Sequence, residues 1–173
     1  MPGNVLVTVG STKFDELIRA VDTHIFVAAL HEQGYRSLFV QRGDGEYLPH
    51  VLVPRGRNKA KLPGNFSVEF VQYVPSLHAH MEAADLIISH AGSGSLFEAL
   101  SLHKAVIAVP NGSLMANHQE ELAVHLERLG HLVSATPDTL ARAVRHLNPG
   151  ALTPYPKGSP QGIADAIHRL VGV

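Results

Sequence analysis

Five short apolar runs, each closed by small or polar residues, alternate along this chain with amphipathic stretches. The runs lie at residues 5–9, 37–41, 68–73, 85–89 and 105–109. A strand that is apolar at nearly every position is buried on both of its faces, which is typical of parallel sheets. Because helical segments separate the runs, the sequence predicts an α/β fold with a Rossmann-like, doubly wound and mainly parallel sheet.

Apolar residues at helical spacing predict helices between and after these runs. We expect helices at residues 13–33, 75–84, 95–102, 117–129, from a cap at 136–138 to about 146, and at 161–171. Gly34 and Gly130 are predicted to stop the first and fourth of them. We divide the chain into a domain of residues 1–147 and a segment of residues 148–173 that holds a linker and the last helix.

The stretch between residues 46 and 65 has the weakest pattern of apolar residues for predicting strands or helices. A short strand is predicted at residues 51–53 and a mobile loop after it, and a further short strand is predicted later, at residues 131–134. The loop carries a basic cluster that consists of Arg55, Arg57, Lys59 and Lys61. We interpret the cluster as a solvated loop or, alternatively, as a face for a phosphate or an acidic partner.

The composition excludes several classes of function. The chain of 173 residues has a formal net charge of −1 and a pI of about 6.9. It therefore has no excess of positive charge that would attract nucleic acid or an anionic membrane. It has no cysteine, which excludes disulfides, thiolate catalysis and cysteine-ligated zinc and fits a reducing compartment. Residues 1–4 have no features of a signal peptide, and we expect the chain alone to be soluble. Any bound anion must be held by local geometry.

The turn after residues 85–89 is the most informative part of the sequence. Ligands of doubly wound folds lie beyond the carboxyl ends of the strands, and this strand runs into Ser89-His90-Ala91-Gly92-Ser93-Gly94-Ser95. Glycines let the backbone approach a phosphate closely, and the amides and serine hydroxyls of a helix start are donors for a diphosphate. The alternative is an ordinary turn with a serine N-cap.

Glu98 lies one turn into the helix that follows this corner. A carboxylate at that position can accept hydrogen bonds from both hydroxyls of a ribose whose diphosphate sits at the helix start. The alternative is an acidic residue placed early in a helix because it interacts favourably with the helix dipole.

Two further turns carry polar groups that would face the same ligand. Val9-Gly10-Ser11-Thr12 is a shorter version of the glycine–serine corner. The loop after residues 105–109 leads to a helix start whose side chains could bond to sugar hydroxyls: Asn117, His118, Gln119 and Glu120. Asn117 and Glu120 also fit a capping box, and the two interpretations are compatible.

Together these turns resemble one protein family, the cytosolic catalytic subunit of the eukaryotic UDP-N-acetylglucosamine transferase that acts on dolichol-linked precursors. The similar segments are residues 7–18, 84–95, 114–123 and 155–158 with the helix that follows. The resemblance covers nearly the whole chain and is weakest between residues 42 and 66. That family in turn resembles the C-terminal half of two-domain GT-B glycosyltransferases, including the bacterial enzyme that adds N-acetylglucosamine to lipid-linked muramyl-pentapeptide.

The resemblance implies that residues 1–147 bind UDP-N-acetylglucosamine. The turn that would hold the diphosphate consists of Ala91, Gly92, Ser93, Gly94 and Ser95. The residues that would lie near that diphosphate are Gly10, Ser11 and Thr12. Glu98 would bind the ribose. The residues that would contact or flank the sugar are Asn117, His118, Gln119 and Glu120.

The resemblance also implies a partner and a place in the cell. A membrane-anchored subunit would bind the lipid-linked acceptor and complete the GT-B fold at the cytosolic face of the endoplasmic reticulum membrane. The helix at residues 162–171 is the expected docking element, although its apolar residues fit a core stripe equally well. The implied reaction transfers N-acetylglucosamine, with inversion, to N-acetylglucosaminyl-diphospho-dolichol.

No cofactor or metal ion is expected. The sequence has no Asp-x-Asp pair to hold a divalent ion on a nucleotide diphosphate, and amides and hydroxyls at a helix end can stabilise a departing UDP. His90 and His118 are the candidate catalytic bases, although in related two-domain enzymes a base comes from the other half. We therefore expect little or no transferase activity from the isolated chain.

Two other functions stay open. A subunit of a split glycosyltransferase of the bacterial exopolysaccharide type would use the same site with another sugar. A non-catalytic nucleotide-binding or regulatory module would keep the site without the chemistry. A dinucleotide dehydrogenase is disfavoured, because the first turn lacks G-x-G-x-x-G and no acidic residue follows the second strand immediately.

Overall fold

Seven strands form one sheet in the computed structural model of the protein, which describes residues 3–112, 117–156 and 169. The strands are β1 Asn4–Thr8, β2 Ser37–Gln41, β3 Lys59–Leu62, β4 Phe66–Val71, β5 Leu86–Ser89, β6 Ala105–Ala108 and β7 Val133–Ser134. Their order across the sheet is β3-β4-β2-β1-β5-β6-β7, and each neighbouring pair is parallel except β3 with β4. The five predicted apolar runs all form strands.

Helices cover both faces of this sheet. They are α1 Asp15–Val21, α2 His24–Glu32, α3 His78–Ala83, α4 Ser93–Ser101, α5 Asn117–Arg128 and α6 Leu140–His146, and a 3-10 turn follows at Pro149–Ala151. Val5 and Val7 of β1 pack with Leu17 of α1 on one face, whereas Leu6 packs with Leu96 of α4 on the other. Burial on both faces explains why β1, β5 and β6 are apolar at successive positions, whereas β4 alternates buried and half-buried residues. Helices on both faces confirm the doubly wound α/β fold.

The single helix predicted for residues 13–33 is wrong, because α1 and α2 are separated at Asp22 and Thr23. Thr23 is extended, and its Oγ1 accepts a hydrogen bond from the amide of Phe26 at 3.2 Å. A threonine in this position is an N-cap, and it starts a new helix. Both helices pack on the same face of the sheet, so the apolar periodicity continues through the break and conceals it.

The carboxylate of Asp22 organises the segment that follows β2. It is 1% exposed and accepts hydrogen bonds from the Tyr47 hydroxyl at 2.8 Å and from the amides of residues 50–52 at 2.9, 3.2 and 2.9 Å. Burial and the Asp22 hydrogen bond raise the pKa of Tyr47 to about 12, so its hydroxyl stays a donor at neutral pH. The strand predicted at residues 51–53 is wrong, because two of its amides bind this carboxylate instead of a neighbouring strand.

The basic cluster lies partly on an edge strand that the sequence pattern did not predict. β3 pairs antiparallel with β4 and carries Lys59 and Lys61. Lys59 Nζ lies 3.2 Å from Glu69 Oε1, and Lys61 Nζ donates to Asn65 Oδ1 at 2.7 Å. The interpretation as a loop is therefore wrong for these two lysines, whose ammonium groups have partners within the chain. Lysines on an edge strand also oppose pairing with another chain.

The chain beyond α6 packs back on the domain as far as the structure describes it. The Thr153 amide donates to the Gly130 carbonyl at 2.8 Å. The ring centroid of Tyr155 lies 6.0 Å from that of Phe97 and 5.2 Å from that of His131. These contacts hold residues 153–155 against α4 and the turn that follows α5.

The helix predicted at residues 161–171 lies outside the described residues, except for Arg169. The division of the chain at residue 147 therefore stays a prediction. Among the described residues, none of the helices combines the length and the apolar character that a membrane span requires.

Candidate functional site

Three neighbouring strands place the three predicted turns along one edge of the sheet. β1, β5 and β6 are adjacent, and their register pairs Thr8 with Ser89 and Ser89 with Ala108. Thr8, Ser89 and Ala108 are the last residues of their strands, so the turns that follow begin side by side. Residues 113–116 of the third turn lie outside the described residues. The turns at residues 9–12 and 90–95 are thus brought together as their positions after parallel strands predict.

The corner after β5 exposes the start of α4. The helix begins at Ser93, two residues earlier than predicted, and its N-cap is Gly92. Glycine has no side chain to bond to the first helical amides, so the alternative of a serine N-cap does not apply. The amides of residues 93–95 have no acceptor within the helix, and Ser93 and Gly94 are exposed. Ala91 has a φ of 66°, which turns the chain sharply out of β5.

His90 fills the space between the first two turns. Its side chain is 6% exposed. A Cβ atom built on Gly92 would lie 2.4 Å from His90 Nε2, and one built on Gly10 would lie 3.0 Å from His90 Cε1. Burial lowers the pKa of His90, so the ring is neutral at neutral pH. A neutral ring suits a base, but its enclosure by the two turns favours a supporting role.

Two buried polar side chains shape the turn after β1. Thr8 Oγ1 accepts a hydrogen bond from the Gly10 amide at 3.1 Å and donates to Gln41 Oε1 at 2.6 Å. Gln41 Nε2 donates to the carbonyls of Gly10 at 2.7 Å and Gln72 at 2.9 Å. Neither side chain was predicted to belong to the site. Each is a polar residue at the end of a buried strand, and that sequence pattern could have indicated it.

The outer part of this turn is tied to the turn after β6. Ser11 is exposed, and the Thr12 hydroxyl donates to the Val9 carbonyl at 2.8 Å. The Asn111 side chain, which is 2% exposed, donates through Nδ2 to the Lys13 carbonyl at 2.9 Å. The first and third turns are therefore held together by a buried amide.

Glu98 lies on α4 and faces α3. Its Oε1 lies 2.8 Å from His78 Nδ1, and His78 Nε2 lies 3.3 Å from Glu82 Oε1. The hydrogen bond to Glu98 and the charge of Glu82 raise the pKa of His78 above its ordinary value. The Glu98 side chain is 41% exposed, so a ligand at the α4 corner can reach it. His78 was not among the predicted site residues, because the contact joins two helices and has no local sequence signal.

The start of α5 was predicted correctly, at Asn117. The Asn117 side chain lies outside the described part of the structure, so the proposed capping box stays a prediction. His118 and Glu120 are exposed, and Gln119 is half-buried. Contacts of these four residues with a sugar also stay predictions.

Three buried polar atoms near these turns have no hydrogen-bond partner in the described part of the chain: Ser89 Oγ, His90 Nδ1 and Gln119 Oε1. Buried polar groups are nearly always paired in folded proteins, so each unpaired one needs an explanation. Two of these atoms belong to the β5 end and its turn, and the third belongs to the first turn of α5. A polar ligand or ordered water at this edge would supply the missing partners.

The sequence matches the glycosyltransferase family 28 C-terminal domain over residues 4–170. It is 40% identical to the UDP-N-acetylglucosamine transferase subunit ALG13 of Mus musculus, over 75% of this chain and 10% of that protein. It is 33% identical to the protein of the same name from Eremothecium gossypii, over 98% of this chain and 93% of that protein. The chain thus spans about a tenth of the mouse relative and nearly all of the fungal one.

Two solved structures share the fold. The NMR structure of ALG13 has a TM-score of 0.71 at 24% identity and covers 96% of this chain and 94% of its own. The crystal structure of MurG from Acinetobacter baumannii has a TM-score of 0.66 at 19% identity and covers all of this chain but 50% of its own. The fold is therefore that of one half of a GT-B glycosyltransferase, as predicted. The chain belongs to the glycosyltransferase family 28 C-terminal domains and, among them, to the ALG13 family of UDP-N-acetylglucosamine transferase subunits.

Proposed function

We propose that this protein is the donor-binding subunit of a UDP-N-acetylglucosamine transferase. The observation that carries the proposal is the corner at α4, where a glycine-capped helix start lies beside the Gly10 turn and Glu98 follows one turn later. The amides of residues 93–95 and the serine hydroxyls suit a diphosphate, and the Glu98 carboxylate suits a ribose. The unpaired buried atoms at the same edge support a polar ligand there.

In the proposed reaction, a hydroxyl of N-acetylglucosaminyl-diphospho-dolichol attacks the anomeric carbon of the donor sugar with inversion. The new carbon–oxygen bond forms as the bond to UDP breaks, the hydroxyl proton passes to a base, and negative charge develops on the diphosphate. Amides of residues 93–95 and the hydroxyls of Ser11, Ser93 and Ser95 would stabilise that charge without a metal ion. No group of three or more histidine or acidic side chains suited to a metal occurs among the described residues.

Of the two candidate bases, His118 is the better placed. It is exposed at the start of α5, whereas His90 is enclosed between two turns. A base that accepts a proton from an acceptor hydroxyl must come within hydrogen-bond distance of it. We therefore assign the base to His118 or to a residue of a partner subunit.

A second subunit follows from the proposed architecture. The donor turns lie along an edge of the sheet, and the fold is one half of a two-domain enzyme that encloses its substrates between its halves. We propose that a membrane-anchored partner supplies the acceptor half and holds the chain at the cytosolic face of the endoplasmic reticulum membrane. The helix predicted at residues 162–171 is the proposed docking element.

Replacing Glu98 with alanine is expected to weaken the binding of UDP about tenfold, because hydrogen bonds from the ribose to a carboxylate are lost. Calorimetric titration of the purified chain with UDP measures this change. Titrations with UDP-N-acetylglucosamine, UDP-glucose, NAD and ATP test the specificity of the same site, and we expect UDP-N-acetylglucosamine to bind most tightly.

The matched control for this variant is Glu32→Ala. Glu32 is also an exposed helical glutamate in an ion pair, with Arg145 at 2.9 Å, and its helix packs on the other face of the sheet. We expect this variant to bind UDP as the unmodified protein does. Equal affinities for all three proteins would contradict the role of Glu98, and a preference for NAD or ATP would contradict the donor site.

The purified chain alone is expected to transfer no N-acetylglucosamine to a short-chain lipid acceptor, because the acceptor site belongs to the partner. Mass spectrometry of the lipid product measures the transfer, and the chain co-expressed with its membrane partner is the positive control. Rapid turnover by the chain alone would contradict the requirement for a partner but would leave the donor site intact.

A further inference from the structure

We infer that His78 is a positioning residue for the ribose of the donor, because its ring bridges Glu82 of α3 and Glu98 of α4 and fixes the Glu98 carboxylate beside the α4 corner. The inference rests on the proposed donor site and adds a residue to it. His78 does not contact the ligand in this arrangement. It acts through Glu98.

The geometry of the bridge requires a particular state of the ring. His78 Nδ1 lies 2.8 Å from Glu98 Oε1, and His78 Nε2 lies 3.3 Å from Glu82 Oε1. An ionised carboxylate only accepts hydrogen bonds, so Nδ1 donates to Glu98, and the ion pair of Nε2 with Glu82 adds its attraction when the ring is the imidazolium. In the described part of the chain, Glu82 and Glu98 are the charged groups that face this ring.

The bridge leaves one oxygen of Glu98 for a ligand. Oε1 is bound to His78, whereas Oε2 has no partner among the residues that the structure describes. A glutamate side chain that is 41% exposed would otherwise sample several rotamers, and ordering it on binding would weaken the affinity. Because the bridge orders Glu98 before the ligand arrives, it should strengthen the contact with the ribose.

The bridge should depend on pH in a defined direction. The hydrogen bond to Glu98 and the charge of Glu82 raise the pKa of His78 above its ordinary value near 6.5. The bridge is therefore complete below this raised pKa and is lost as the pH rises through it. The neutral ring loses the ion pair with Glu82 and holds Glu98 only by an uncharged hydrogen bond from Nδ1, so the carboxylate is less firmly positioned.

The ratio of the dissociation constants of 2′-deoxyuridine diphosphate and UDP measures how much the ribose 2′-hydroxyl, and thus its contact with Glu98, contributes to binding. The two ligands differ by one ribose hydroxyl, and their diphosphates titrate alike, so ionisation of the ligand cancels in the ratio. For the unmodified chain we expect UDP to bind about tenfold more tightly than the deoxy ligand at pH 6 and about threefold at pH 8.5. Calorimetry at both pH values measures the ratio.

Variants of His78 separate positioning from a general structural role. His78→Ala is expected to reduce the preference for UDP over the deoxy ligand to about twofold at both pH values. His78→Asn places an amide donor near the position of Nδ1, and it should keep about a fivefold preference that does not change with pH. The control is His80→Ala on the same helix, because His80 stacks on Phe39 with ring centroids 4.2 Å apart instead of facing Glu98. This control should retain the ratio and its pH dependence.

Each result decides the inference. A tenfold preference that persists in His78→Ala, or the same pH dependence in His78→Asn as in the unmodified chain, overturns the role of His78 while the donor site stands. The absence of any preference in the unmodified chain also overturns it, because Glu98 would then not bind the ribose 2′-hydroxyl. Failure of UDP to bind the unmodified chain overturns the proposed function itself.

Discussion

Replacing Asp22 with alanine is expected to lower the free energy of unfolding by about 4 kcal/mol. The carboxylate is 1% exposed and is the shared acceptor for the Tyr47 hydroxyl and the amides of residues 50–52. Without it, one buried donor (the Leu52 amide) and three part-buried donors lose their partner, and each one that water does not reach costs about 1–3 kcal/mol. Thermal unfolding followed by circular dichroism should show a melting temperature lower by about 10 °C.

Two further variants serve as comparisons for the loss of stability in Asp22→Ala. Asp22→Asn keeps the shape and one acceptor oxygen, so we expect about half of the loss. Asp44→Ala also removes an aspartate that accepts a tyrosine hydroxyl, that of Tyr73, but Asp44 is exposed and the loss should stay within about 0.5 kcal/mol. If Asp22→Ala melts at the temperature of Asp44→Ala, the segment after β2 is not held by this carboxylate.

The central strands β1, β5 and β6 could be predicted from the sequence because burial on both faces makes nearly every residue apolar. Leu6 and Val7, for example, are buried in different layers and are both apolar. The break between α1 and α2 and the position of β3 could not be predicted in this way. The break comes from the Thr23 N-cap, which the continuous apolar periodicity conceals, and β3 is a four-residue edge strand with two lysines, which is too short and too polar to show a strand pattern.

The same distinction holds at the candidate site. The α4 corner could be located because glycines and serines follow a buried strand, and that pattern is local. The supporting residues come from other elements: Gln41 reaches the Gly10 carbonyl from β2, and His78 reaches Glu98 from α3. Only the folded arrangement brings these pairs together, so sequence pattern indicated where the site lies but not what holds it in place.

Replacing Gly92 with alanine is expected to weaken UDP binding more than about 100-fold and to lower the free energy of unfolding by about 2–3 kcal/mol. The new methyl group would lie 2.4 Å from His90 Nε2 and 2.7 Å from Cε1. The ring is 6% exposed and also lies against Gly10, so it has little room to move and the turn itself must shift. The amides of residues 93–95 would then no longer converge on one diphosphate. Calorimetry with UDP and thermal unfolding measure the two effects.

Gly94→Ala is the matched control, since it adds the same methyl group two residues further along. A Cβ atom there meets no described atom within 4 Å, so the fold should be as stable or up to about 1 kcal/mol more stable. Cβ atoms of a helix point toward its N-terminus, which is the proposed place of the diphosphate, so UDP binding should still fall about tenfold. Adding His90→Ala to Gly92→Ala removes the clash and should restore part of the lost stability, a non-additive result. If the losses of stability in this double variant are additive, the His90 ring does not separate the two turns. If Gly94→Ala binds UDP as the unmodified chain does, the diphosphate lies elsewhere.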